Sequence, residues 1–136
     1  MKFPIINISH RNPVEEEDLL IYSLTEALIY TDNEKVFKEF YENQFFCDAE
    51  GRIFECTKRI LPTSGGWRSA FKFLPNTYKV QLVFKATGKT LDKETLRSAL
   101  LNRAEKVEDS DFVKFYKEYI KKADSWEQLI IGEQLN

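Results

Sequence analysis

Two thiols, one imidazole, one glycine-lysine-threonine run and one serine-glycine-glycine loop are the places in this 136-residue chain where residue types could carry chemistry. Cys47 and Cys56 are the only cysteines, on either side of the turn Asp48-Ala49-Glu50-Gly51. They could form a disulfide, contribute to a metal site, supply a reactive thiol, or serve as small apolar residues. If the turn is type I followed by a left-handed glycine at Gly51, Cys47 faces Ile53, Phe46 faces Phe54 and Gln44 faces Cys56. Opposed residues share a face and neighbours alternate, so the thiols then fall on opposite faces of the sheet. A two-residue turn puts them on one face but about 14 Å apart. A disulfide tolerates about 7 Å between Cα atoms, so neither register allows one. A closed zinc site wants paired thiols and further imidazoles, and this chain offers two distant thiols and His10. A catalytic Cys–His pair has only to meet in space. His10, in Ser9-His10-Arg11-Asn12, reads instead as a solvated or cap-adjacent residue. Both cysteines are expected to pack as small strand residues, and no catalytic residue, metal or cofactor is expected.

Gly88-Lys89-Thr90 has the tail of a phosphate-binding loop, but the pattern needs a glycine where Val83 stands. Without a glycine-rich nest there is no backbone cradle for phosphates, and a plain strand-to-helix turn is expected. Ser64-Gly65-Gly66-Trp67, followed by Arg68, is the more informative loop. Consecutive glycines can turn amides toward an anion and Arg68 could assist, although a flexible hairpin turn uses the same residues. The acids Glu15 to Asp18 fit the first turn of a helix, where the dipole favours them.

Charge is partitioned along the chain. Residues 52–89 hold eight basic residues and one acid, a formal +7, while residues 1–51 hold four basic and eleven acidic residues, a formal −7. The rest carries −2, so the net −2 conceals a dipolar layout. On alternating strands, Arg68, Lys72, Lys79 and Lys85 share one face, with Arg59 beside them. Trp67, Phe71, Phe73, Tyr78 and Phe84 lie opposite. A sheet that stacks single-stranded nucleic acid carries aromatics and cations on the same exposed face, so this arrangement argues against nucleic acid.

The elements that hold these groups follow from periodicity. After a short extended start, Asn12-Pro13-Val14-Glu15 resembles a helix start, with Val14, Leu20, Ile21, Leu24, Ala27 and Leu28 as one stripe. Thr31-Asp32-Asn33-Glu34 starts a shorter helix presenting Val36, Phe37, Phe40 and Tyr41. Period two takes over from Phe45 to about Leu61, then from Trp67 to Phe73 and from Tyr78 to Ala86, separated by turns. Helical spacing returns with Leu96, Ala99, Leu100, Ala104 and Val107, then Phe112, Phe115, Tyr116 and Tyr119, then Trp126, Leu129 and Ile130. The expected architecture is one α+β domain over residues 1–136: N-terminal helices, a four-stranded antiparallel meander, and C-terminal helices packed on one sheet face.

At 43% hydrophobic and 31% charged the composition is that of a folded chain, and no apolar run approaches a membrane span. The first residues lack the apolar core of a secretion signal and the cysteines are few, so a cytoplasmic location is expected. The expected function is non-enzymatic: a protein-interaction domain, adaptor, regulator or neutraliser of a toxin or enzyme. It would bind an acidic protein partner through Arg59, Arg68, Lys72, Lys79 and Lys85, with Ser64, Gly65, Gly66 and Trp67 at the edge. The alternative is an anion, nucleic-acid or small-ligand binder using the Gly65-Gly66 loop and the basic face, with hidden catalysis conceivable. Partner identity and oligomeric state are not legible.

Overall fold

The computed structural model describes residues 1–10, 13–25, 27–30, 33–60 and 78–132, with the backbone alone at 17, 27–30, 33, 34, 36 and 78–80. In chain order come β1 (Ile5–Asn7), a 3₁₀ turn (Glu16–Leu19), β2 (Tyr22–Ser23), β3 (Ala27–Tyr30), α1 (Asn33–Phe40), β4 (Gln44–Cys47), β5 (Arg52–Ile60) and β6 (Tyr78–Thr90). Three helices follow: α2 (Lys93–Glu105), α3 (Asp111–Lys122) and α4 (Trp126–Ile131). The strands pair antiparallel in the order β2-β1-β4-β5-β6-β3, so the chain is α+β. None of the helices among the described residues is long and apolar enough to cross a membrane.

The expected four-stranded meander is corrected to a six-stranded sheet among the described residues. The expected strand from Trp67 to Phe73 lies outside them. The helix expected from Val14 to Leu28 is replaced by the 3₁₀ turn, β2 and β3. Its stripe was helical only by omission: Leu19, Leu20 and Ile21 run consecutively, and Ala27 to Tyr30 is a continuous apolar run that suits a strand equally. Local and tertiary hydrogen bonds then decide. Asp18 Oδ2 accepts from the Val14 and Glu15 N–H groups at 2.7 and 3.0 Å, closing a tight loop. Asn7 N–H donates to Ile21 O at 2.9 Å, which takes the following residues into the sheet beside β1.

The β4–β5 hairpin has the first of the two registers considered: Cys47 pairs with Ile53, Phe46 with Phe54 and Gln44 with Cys56. Gly51 is left-handed at φ 80°. Asp48 organises the turn, accepting from Glu50 N and Arg52 N through Oδ1 and from Lys2 N and Arg52 Nε through Oδ2. Burial opposes ionisation of this carboxyl, but those donors and the Arg52 charge outweigh it and hold its pKa below the ordinary range.

The sheet buries apolar residues on both faces. On one, Ile6 and Cys47 pack with Leu96, Leu100 and Ala104 of α2, Val113, Tyr116 and Ile120 of α3, and Leu129 and Ile130 of α4. On the other, Ile5, Phe46, Cys56 and Leu82 pack with Phe37 of α1 and with Tyr41. The sheet must also curl. Ser23 and Ala27 span at most about 14 Å of chain, yet their strands are the two edges, which a flat sheet would hold about 24 Å apart.

The C-terminal helices begin on side-chain caps. Asp92 accepts from Thr95 N, Ser110 from Val113 N, and Ser125 forms a reciprocal box with Gln128. The buried stripe of α3 is Val113, Tyr116 and Ile120. The aromatic series is therefore rotated partly outward, and Phe115 is 72% exposed.

Candidate functional site

Asn7 ends β1 fully buried between two apolar clusters, and its side chain satisfies four partners. Its Nδ2 donates to Phe40 O at 2.8 Å and Gln44 Oε1 at 2.6 Å, and its Oδ1 accepts from Ser9 N at 2.8 Å and His10 N at 2.9 Å. The two accepted bonds bend the chain just after β1. Ser9 Oγ then accepts from Phe45 N, and Ile8 N donates to Phe45 O, fastening the bend to β4. From the opposite side, Arg103 of α2 donates through Nη2 to the Asn7 carbonyl.

Between this bend, the sheet and α2 lies a cavity of about 420 Å³. Its apolar walls are Ile8, Pro13, Phe45, Ile53 and Ala99, and its polar lining is Ser9, His10, Asn102, Lys89, Arg103 and Lys106. No carboxylate lines it among the described residues. Its size falls in the range of small-molecule sites.

Arg103 is the unusual member. It is only 7% exposed, and its Nη1 is buried with no hydrogen-bond partner among the described residues. Burial lowers its pKa, with Tyr116 and Asp18 acting the other way. Asp18 is already engaged, by His10 Nε2 at 3.6 Å and by two backbone N–H groups. Arg97, one helical face away, makes the contrast: it pairs with Glu94 and donates to the Ile120 and Lys121 carbonyls. A buried guanidinium with a free donor is costly unless something accepts from it.

Lys89 reaches the cavity because β6 bulges. Arg52 pairs with Thr90 and Phe54 with Ala86, so β6 carries extra residues between them. Gly88 takes φ 79°, and Thr87 Oγ1 donates to Ile53 O and accepts from Lys89 N. Gly88-Lys89-Thr90 is therefore the bulged end of a strand and not the expected strand-to-helix turn. Lys106 comes from the C-cap of α2. Neither ammonium has an ion-pair partner among the described residues. His10 is tucked against Asp18 and the Phe40 ring, its side chain 13% exposed, so the expected solvated or cap-adjacent residue is a half-buried one.

The expected basic face is only partly within view. Ser64, Gly65, Gly66, Trp67, Arg68 and Lys72 lie outside the described residues, and Lys79 is described by its backbone, paired with Ile29. Arg59 and Lys85 are on opposite faces. Lys85 pairs with Glu55, whereas a bulge between Cys56 and Lys58 sets Arg59 against Leu82, three residues away along β6. Arg59 then lies over the Phe37 ring at 5.3 Å. The bulge brings Lys58 in its place to the face of Lys85, and both are exposed.

Cys47 and Cys56 are free, buried and on opposite faces. Burial first, then Asp48 beside Cys47 and Glu42 and Glu55 near Cys56, pushes both thiols up to about 12. The thiolate is the nucleophile, so these are unreactive positions. Iodoacetamide at pH 8 is expected to leave both unlabelled in the native protein and to label both in denaturant. Rapid native labelling, read by intact mass, would contradict this assignment.

Comparison with protein families, with curated proteins and with solved structures found no match. The site therefore speaks through its own geometry.

Two of the cavity's three described cations were not singled out from the sequence. Arg103 continues the stripe Leu96, Leu100, Val107 at helical spacing, and a cation on an apolar stripe was the available signal. Lys106 carried none.

Proposed function

We propose that this protein is a binding domain that takes a small organic anion into the cavity between α2 and the sheet. The observation that carries the reading is Arg103: a buried guanidinium that lines the cavity, with no carboxylate bonded to it among the described residues. Lysine or arginine at a helix C-terminus has an ordinary use in complementing the dipole, and Lys106 is explained that way. Burying a guanidinium among apolar walls is not, because an exposed one serves the dipole at no desolvation cost. An anion in the cavity offsets the charge of Arg103, and Lys89 and Lys106 add favourable potential at the mouth. Two thiols held far above the nucleophilic range support binding over catalysis.

A thermal-shift panel of organic and inorganic anions tests the reading. A ligand at about 100 times its Kd adds about 2.7 kcal/mol to stability and raises the Tm. The rise is expected to vanish in Arg103→Met and to survive in Lys58→Ala/Lys85→Ala, whose side chains lie on the outer β5–β6 face. No rise with any anion, or an equal rise in Arg103→Met, removes the proposal.

The second reading is the acidic protein partner. Lys58 and Lys85, exposed together on one face of the β5–β6 ribbon, favour it. The same double variant separates the two, since partner capture from lysate depends on it and cavity binding does not.

A further inference from the structure

The charge inventory of the cavity goes further than the word anion, and the step rests on the anion-binding reading above. Among the described residues three permanent cations line it, Arg103, Lys89 and Lys106, and no carboxylate does. A monocarboxylate would balance one of them and leave the others facing each other across a partly apolar space. The cations also differ in origin. Arg103, on α2, is bonded through Nη2 to the Asn7 carbonyl. Lys106 stands one turn further along α2, and Lys89 comes from the sheet, so the two ammoniums approach from different elements. Donors arriving from several directions suit a tetrahedral acceptor better than the two coplanar oxygens of a carboxylate. A phosphate monoester supplies three terminal oxygens and a charge of about −1.5 to −2 at neutral pH.

The remaining lining excludes the bare ion. Phe45, Ile53, Pro13 and Ala99 give the cavity apolar walls that inorganic phosphate cannot use. Phe45 is 38% exposed, an apolar ring left partly open to solvent beside the cations. We infer that the ligand is a small phosphate monoester with an aryl or alkyl body. The dianionic head meets Arg103, Lys89 and Lys106, and the body lies on Phe45 and Ile53.

Calorimetry at low salt and pH 7.5 with three probes tests this: phenyl phosphate, benzoate and inorganic phosphate. Phenyl phosphate is expected to bind about tenfold or more tightly than either of the others, through the second charge and the apolar body respectively. In Lys89→Ala/Lys106→Ala its affinity is expected to fall about tenfold or more, and that of benzoate by about threefold at most. Both lysines are exposed at the mouth, so this variant is not expected to unfold the protein. Benzoate binding as tightly as phenyl phosphate overturns the phosphate inference and leaves the anion site standing. Inorganic phosphate binding as tightly overturns the apolar body. Absence of binding by all three at millimolar concentration overturns both this inference and the anion site, and binding indifferent to the lysine pair overturns its placement here.

Discussion

Asn7→Ala is expected to lose about 3 kcal/mol of unfolding free energy, and with it the shape of the cavity. The side chain is wholly buried and makes four hydrogen bonds of 2.6 to 2.9 Å. Removing it strands the Phe40 carbonyl and the Ser9 and His10 N–H groups, each a desolvated polar group worth about 1–3 kcal/mol when left unpaired. Water entering the vacated space and local relaxation limit the loss to less than the sum. Asn7→Asp separates the two halves of the role. It keeps the acceptor for Ser9 and His10 but sets a carboxylate oxygen against Phe40 O and Gln44 Oε1. If the donating half matters, Asp is as damaging as Ala at pH 7. Urea unfolding followed by tryptophan fluorescence reads the difference. A loss below about 1 kcal/mol in Asn7→Ala would mean that the bend after β1 is held by other contacts, and the positioning role assigned to Asn7 would be wrong.

Gly51→Ala is expected to cost about 2–5 kcal/mol, for two separable reasons. At φ 80° an L side chain pays about 1–2 kcal/mol for the left-handed conformation. The added Cβ would also stand 2.3 Å from the Leu91 carbonyl and 2.8 to 2.9 Å from the Trp126 ring. The carbonyl is backbone and cannot move freely, because Leu91 N is itself bonded to Gly51 O at 2.7 Å. Overpacking of this kind adds about 1–3 kcal/mol. Gly88→Ala isolates the first contribution. Its φ is 79° and nothing lies within 4 Å of the built Cβ, so about 1–2 kcal/mol is expected there. Against a total stability of about 5–15 kcal/mol, the Gly51 substitution is the more serious. Equal losses at the two glycines would refute the contact between the hairpin turn, Leu91 and Trp126. That contact joins the hairpin to α4, so its loss also loosens the core in which Leu129 and Ile130 sit.

The arrangement ties stability to the proposed site. Asn7 bridges the end of α1, the start of β4 and the bend that forms one cavity wall, and its carbonyl holds the arginine of the opposite wall. Occupation of the cavity by an anion beside Arg103, Lys89 and Lys106 adds a further tie between α2 and the sheet. This is why binding is expected to appear as a rise in Tm.

The sequence by itself determined what depends on neighbours along the chain. The hairpin around Asp48 to Gly51 was legible to within two registers, both of which keep Cys47 from bonding Cys56; the left-handed Gly51 selects the one that puts them on opposite faces. The cap at Asp92 and most of the α2 stripe were legible because helical hydrogen bonding and burial repeat at fixed local spacing, although Ala99 is exposed and Arg103 takes a place in the stripe. Tertiary structure alone decided the rest. Residues 14–30 carry a pattern that a helix and two strands fit equally, and only pairing with β1 and β6 chooses between them. Arg59 and Lys85 were assigned one face by strict alternation. The bulge between Cys56 and Lys58 reverses the parity, and nothing in the local residues Thr57 and Lys58 signals an inserted position. The cavity was beyond reach for the same reason. Asn7, Phe45, Lys89 and Arg103 are separated by tens of residues, and each looks ordinary in its own segment. They acquire a common chemistry only when the sheet curls and α2 closes over it, because burial, which makes an unpaired guanidinium costly, is a property of the packed molecule.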